Sequence, residues 1–201
     1  MKKLMFLTMR VAVTSRNREL GVSLVIVMIF LVILSGLAIT AMQGSTFSAR
    51  IAGNESDRTL AFQAAEAALK DAENDIRGQL STGAACPIAS TTCRADPLDK
   101  GNGFDATCPN GRCTPDAGSP VWETASRWTN AVPANNTANS DGSVRYGFYT
   151  GAVALPVVAQ QPRYLIEYFP KYEATVYRVT AMGYGASAST RAMLQVSVKA
   201  K

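Results

Sequence analysis

Four cysteines, Cys86, Cys93, Cys108 and Cys113, stand in the pattern C-x6-C-x14-C-x4-C, and the chain has no histidine. Together these bound the chemistry. An even set of cysteines in a domain outside the cytoplasm favours disulfides. Two pairings fit: local (Cys86–Cys93 with Cys108–Cys113) and nested (Cys86–Cys113 with Cys93–Cys108). A zinc site is the rival reading, but C-x2-C spacing and histidine ligands are both missing. A nucleophilic cysteine or serine would need a neighbouring base, and no imidazole is present to serve.

Between the middle cysteines lies DPLDKGNGFD, with Asp96, Asp99, Asn102 and Asp105. Clustered oxygens of this kind could hold calcium. If Asp99 opens the loop, however, Gly101 and Gly103 fall on ligand positions, so a solvated turn is the preferred reading. GNG and GYG read as turns, since neither opens a helix after a strand as a phosphate-cradling loop does. The sequence therefore predicts no enzyme, no cofactor and no metal.

The elements that must position the cysteines follow from composition. Residues 79–143 are rich in Gly, Pro, Ser, Thr, Asn and Asp, and they hold all four cysteines with Trp122 and Trp128. They read as a long irregular region tied by disulfides, with a short helical or extended piece at VWETASRW. Residues 144–201 read as strands: VRYGFYT (144–150), RYLIEYF (163–169), ATVYRVTAMGYG (174–185) and STRAMLQVSVK (189–199). In the last, Ala192, Leu194, Val196 and Val198 alternate with Arg191, Met193, Gln195, Ser197 and Lys199. Gly183, Gly185, Ala186 and Ser187 are expected to supply the turn before it. The tyrosines and phenylalanines of this quarter are expected in the sheet and core.

Upstream, DRTLAFQAAEAALKDAENDIRG carries Leu60, Ala64, Ala68, Leu69, Ala72 and Ile76 at three- and four-residue steps, the stripe of an amphipathic helix. Asn54–Asp57 offer capping side chains, Glu66 and Lys70 an i,i+4 pair, and Gly78 a stop. Gly44 and Gly53 predict a kink or local melting across residues 44–56. The helix is thus read as 44–78, following an apolar segment, 22–43.

That segment is decisive. Val22 to Met42 contains no charge and is interrupted only by Ser23, Ser35, Gly36 and Thr40. As a helix it spans about 31 Å, the thickness of a hydrocarbon core. It is too long for the apolar part of a cleaved secretory signal. Lys2, Lys3, Arg10, Arg16 and Arg18 against Glu19 give residues 1–21 a net +4 of the chain's +5, leaving the other 180 residues at +1. The basic pI belongs to the leader, and the nearly neutral body offers no groove for nucleic acid. Basic residues before the run place that end in the cytoplasm and export the rest.

The junction Gly21-Val22-Ser23-Leu24 resembles the signal of type IV pilins and pseudopilins. QGSTFSARIAGNESDRTLAFQAAEAALKDAE resembles the PilX minor pilins, as does the closing hairpin YRVTAMGYG…ASTRAMLQVSVK. The resemblance implies a pilin-like α+β fold. A long N-terminal helix, apolar half transmembrane, would pack on a C-terminal antiparallel sheet, with the irregular region between.

It also implies cleavage after Gly21 by a prepilin peptidase and N-methylation of Val22. Residues 1–21 would be the leader, and Met5 or Met9 would begin one of more usual length. The helix bearing Ile26, Phe30, Ile33 and Leu37 would serve membrane insertion and then assembly. Members of that family usually carry glutamate as the fifth mature residue; here it is Ile26, which points to a minor, tip-located subunit.

The implied function is a tip or priming complex that initiates pilus assembly and supports twitching motility and attachment. The implied partners are other minor pilins, the major pilin and a large tip adhesin, with residence in the inner membrane, the C-terminal part in the periplasm, and then at the pilus tip. The alternatives are a tip pseudopilin of a type II secretion system and a single-pass membrane-anchored periplasmic binding protein.

Overall fold

The structure, a computed structural model, describes residues 22–88, 90, 93–94, 98, 103–116, 118–129, 142–171 and 174–199. Gly21, Asp96, Asp99 and Asn102 lie outside these residues. The chain forms two compact units that divide between Arg50 and Ile51. One helix, α1 (Val22–Ile76), contributes to both. Its hydrogen-bonded path is unbroken through Gly44 and Gly53, so the melting expected at 44–56 is absent. A glycine costs about 1 kcal/mol in a helix, less than the hydrogen bonds that a break in so long a helix would forfeit. Asn54–Asp57 accordingly sit inside the helix and cap nothing there.

The end of α1 is built as expected. Gly78 lies at φ +66°, donating to the Asp75 carbonyl at 3.1 Å while Gln79 donates to Asn74 at 2.9 Å. These are the paired bonds of a Schellman cap, which requires the left-handed residue that glycine supplies at no steric cost.

In the second unit, five strands follow: β1 (Arg112–Cys113), β2 (Val144–Arg145), β3 (Arg163–Lys171), β4 (Ala174–Tyr184) and β5 (Arg191–Lys199). A 3-10 turn at Val121–Glu123 and a short helix α2 (Ser126–Thr129) occupy VWETASRW. β3, β4 and β5 form an antiparallel meander in which Ile166 faces Val179 and Val179 faces Val196. The sheet is nevertheless mixed, because β1 joins β3 in parallel at Ile166 and Glu167. A two-residue strand from an irregular segment leaves no strand-length pattern in the sequence.

The strand expected at 144–150 is also shorter. It stops at Arg145, where the chain turns so that the Gly147 N–H donates to Asp71 on α1 at 2.7 Å.

The helix face and the sheet meet through small residues. Ala61, Ala64, Ala65, Ala68 and Ala72 are buried with Ile76, while Leu60 and Leu69 are half-buried. Against them pack Tyr164, Ile166, Tyr177, Val179 and Ala181. The closest approach is at Gly183, where a Cβ would overlap the Ala61 carbonyl oxygen and the Ala65 nitrogen. Gly183 is therefore not part of the turn expected of it; it is the strand position that admits the helix backbone.

Turn chemistry at the β4–β5 end comes from the helix. Asp57 accepts the Ala186 N–H at 2.5 Å and the Ser187 N–H at 3.3 Å. A hydrogen bond from the Thr190 side chain, assisted by those two N–H groups, lowers its pKa.

Gly183→Val should be far more damaging than its size suggests. Its branched Cβ has only backbone to displace, so the expected loss is about 3 kcal/mol or more, read as a lowered denaturation midpoint in detergent micelles. A drop of less than about 1 kcal/mol would mean that the helix and β4 are not in backbone contact.

Candidate assembly surface

From Val22 to Ala49 the helix carries no charged side chain, and every residue from Val22 to Arg50 is exposed. Ile26, Phe30, Ile33 and Leu37, together with Val22, have half or more of their surface free. The exposure runs round the whole circumference and follows no single stripe. Such a surface suits lipid or other apolar helices equally. Three of its polar side chains bond back to the helix: Ser35 donates to the Leu31 carbonyl at 2.6 Å, Thr40 to Leu37 at 2.9 Å and Thr46 to Gln43 at 3.0 Å. The helix is long and apolar enough to cross a membrane.

The second unit joins helix to loops by a buried polar network. Asp75 accepts the Arg94 Nε at 2.7 Å and a second bond from its Nη2. It also accepts the Tyr164 hydroxyl at 2.8 Å. Arg94 lies 3.7 Å over the Tyr149 ring and donates to the Asn110 carbonyl at 3.1 Å.

Burial opposes the Arg94 charge, but the Asp75 carboxylate more than offsets it and raises its pKa. Tyr164 is pushed well above its usual value by burial and by the two aspartates. Arg112 is lowered to about 10 by burial and by the nearby charge of Arg94. One turn back along α1, Asp71 accepts the Thr150 hydroxyl and the Gly147 N–H. Burial raises its pKa from the ordinary 3.8 to about 6, against those hydrogen bonds and with a contribution from Asp75.

These residues were not singled out from sequence. A signal existed: Asp71 and Asp75 are one turn apart on the alanine stripe, where charges need buried partners. The expected Glu66–Lys70 pair is not formed; Lys70 reaches Glu73 at 2.9 Å, and Glu73 also pairs with Arg77 at 2.5 Å.

The opposite face of the sheet carries one of the two disulfides, Cys108–Cys113. Cysteine pairing is local: Cys86 with Cys93 and Cys108 with Cys113. That pairing uses up the thiolates a zinc site would need. The Cys108–Cys113 bridge is fully buried and packs with Val121, Trp128, Leu165, Met182 and Tyr184.

Trp128 donates to the Trp122 carbonyl at 2.8 Å. Arg178 lies between the rings of Trp122 (4.3 Å) and Phe169 (4.7 Å) while holding Glu167 by two hydrogen bonds of 2.8 and 2.7 Å. Glu167 and Arg178 are direct cross-strand neighbours, so this pair rivets the tryptophan segment to β3 and β4. Asp105, the one described member of the candidate calcium set, accepts the Thr107 N–H at 2.9 Å in its own turn. Among the described residues, no three His, Cys, Asp or Glu side chains are placed to hold a metal.

Three outcomes follow from these arrangements. Arg94→Met should cost about 3–5 kcal/mol, because it leaves the buried Asp75 carboxylate without its cationic partner. Asp75→Asn with Arg94→Met should cost much less than the sum of the single changes in a double-mutant cycle.

Asp71 titrates in the fold about two pH units above its unfolded value. Between pH 3.8 and about 6 the folded chain keeps a proton that the unfolded chain has lost. Its stabilisation is therefore full below that window and lost as pH rises through about 6, by up to roughly 3 kcal/mol at 1.36 kcal/mol per pH unit. Denaturation midpoints in micelles at pH 4 and pH 7 should show this fall in the wild type and not in Asp71→Asn.

Replacing Cys108 and Cys113 together by serine should cost about 2 kcal/mol through loop closure alone, with further loss because the buried Trp128 cluster opens. Tryptophan near-UV dichroism reads that opening directly.

Comparison with known families agrees with this architecture. A family model described as PilX N-terminal matches residues 21–70. A second, described as Type IV pilus assembly protein PilX C-term, matches residues 109–200. No curated protein and no solved structure matches the chain. The first model spans the exposed apolar helix and most of the alanine face, and the second begins just after Cys108 and spans Cys113 and the whole sheet. The chain belongs to the PilX family of type IV pilus assembly proteins and is a minor pilin of that system.

Proposed function

We propose that the chain is exported as a precursor, cut after Gly21 on the cytoplasmic side, N-methylated at Val22, and then transferred from the inner membrane into a pilus. There it joins a tip or priming complex that starts polymerisation and supports twitching motility and attachment. Other minor pilins, the major pilin and a tip adhesin are its partners.

The observation that carries this reading is the α1 surface. It is uncharged on every side from Val22 to Ala49, and no acid lies between Val22 and Glu55. Cleavage at Gly21 would remove the four net positive charges of the leader while leaving that surface intact. A helix without charge can exchange lipid for protein neighbours with little change in apolar burial.

Ile26 in place of an acid bears on position. Inside a filament, a carboxylate at that site would neutralise a neighbouring subunit's terminal ammonium, which is costly to leave unpaired in apolar surroundings. A subunit with no neighbour above it has no such ammonium to neutralise, so Ile26 suits the tip.

The test is chemical. Mass spectrometry of the membrane-extracted protein should find N-methylated Val22 as the first residue. Gly21→Ala should accumulate the full-length precursor and abolish or sharply reduce piliation. Normal pili assembled around an uncut chain would defeat the reading.

A further inference from the structure

The two edges of the sheet are finished differently. The outer edge of β3 is covered by β1 at Ile166–Glu167 and by β2 at Arg163–Tyr164. β5 pairs with β4 alone, so among the described residues its far side is open along Arg191–Lys199. Gly185 donates to the Thr190 carbonyl at 2.9 Å. The alternation of an antiparallel ladder then directs the backbone groups of Ala192, Leu194, Val196 and Val198 toward β4. Those of Arg191, Met193, Gln195, Ser197 and Lys199 point outward.

The outward-bonding residues also share a face. Met193 stands opposite Met182, and Gln195 donates to the Thr180 hydroxyl at 2.9 Å. On that face lies a cavity of about 550 Å³ whose lining includes Trp122, Glu123, Trp128, Met182, Arg191 and Met193. A strand laid along β5 would continue the row Met182–Met193 with its own side chain, set over this cavity.

Charge selects the occupant. Residues 186–201 contain Arg191, Lys199 and Lys201 and no acid. Among the described residues, neither Arg191 nor Lys199 is in an ion pair. Two β5 strands paired antiparallel about Gln195 would set Arg191 against Lys199 at both ends, like charge facing like charge. In that register the edge disfavours a second copy of itself.

We propose that the β5 edge and the adjoining cavity form one docking site for an extended segment of a different protein. Main-chain hydrogen bonds would hold the segment, with an apolar side chain opposite Met193 and carboxylates opposite Arg191 and Lys199. The site does not depend on leader cleavage or filament entry, so its failure would leave that reading intact.

The test uses the full-length protein in detergent micelles. The probe is a capped, fluorescent peptide of sequence Glu-Val-Leu-Val-Thr-Val-Leu-Val-Glu, which reads alike for either strand direction. It should bind saturably and slow amide exchange at Met193, Gln195 and Ser197. A version with lysine at both ends should bind about tenfold more weakly, and Arg191→Glu with Lys199→Glu should reverse that preference.

Ser197→Pro removes an outward N–H without touching the β4 ladder. It should abolish binding while leaving the tryptophan near-UV signal unchanged. If that variant does not fold, the charge-reversed pair decides. No saturable binding up to millimolar peptide, equal binding of both peptides, or protection confined to other residues would each overturn the proposal. So would self-association of the wild type that Ser197→Pro abolishes, since it would assign the edge to a second copy.

Discussion

The contact on which the second unit depends is that of one backbone with another: Ala61 and Ala65 of α1 against Gly183 of β4. Nothing larger than hydrogen fits between them. The helix face must therefore be alanine over several turns, and alanine removes little apolar surface from water, on the order of 1 kcal/mol per residue. A face of that kind cannot supply the core by itself. The volume comes from the sheet, where Tyr164 and Tyr177 are fully buried, and from Phe104, Phe148 and Tyr149 packed around them. Large rings carry phenol groups, and buried phenols need partners. Tyr164 finds Asp75, and Tyr177 donates to the Leu98 carbonyl. The polar network is thus a consequence of the close helix: small residues on α1 call for tyrosines opposite, and the tyrosines call for acceptors.

That chain of requirements explains why two aspartates sit on an otherwise apolar helix face. Asp75 accepts from Tyr164 and Arg94 and so draws the segment after Cys93 onto the helix. Asp71 takes the Gly147 N–H and the Thr150 hydroxyl and so ends β2 early. Both act as staples for loops that have little apolar surface of their own. On the far side of the sheet the same need is met differently. The Cys108–Cys113 bridge, the stacked Arg178 and two tryptophans fix the irregular segment without help from the helix.

How legible this was depends on whether a feature is periodic. The helix stripe at Ala64, Ala68, Ala72 and Ile76, the Gly78 cap, and the strands at 163, 174 and 191 all carry their period or their turn residue in the sequence. The mixed character of the sheet was not legible, because β1 is two residues held by a disulfide turn and has no pattern of its own. Nor was the role of Gly183: a glycine near a turn reads as turn, and only a facing backbone reveals it as a contact. Gly44 and Gly53 misled in the opposite direction. Propensity predicted a break, but a single glycine in a long helix costs less than breaking the flanking hydrogen bonds. Of the assembly surface, the uncharged run was fully legible, since absence of charge over a span of residues is a property of sequence alone. The buried Asp71 and Asp75 were visible as residues but not as a site, because their partners lie far away in the chain.

The two units also divide the work of recognition along physical lines. A helix that is apolar on all sides attracts any apolar helix and distinguishes among them only by fit, with small differences in packing and no charge to set register. From Val22 to Ala49 the chain offers no group that could reject a wrong neighbour. Discrimination has to come from surfaces that combine directional hydrogen bonds with charge, and those lie in the second unit. Among the described residues the ladder of β5 is open, with Arg191 and Lys199 at its ends; it is directional along its whole length and carries charge that favours an acidic partner strand. Generic attraction in the helix and selective pairing at the sheet edge are complementary, because an interface that is only apolar cannot choose and one that is only a short strand cannot hold.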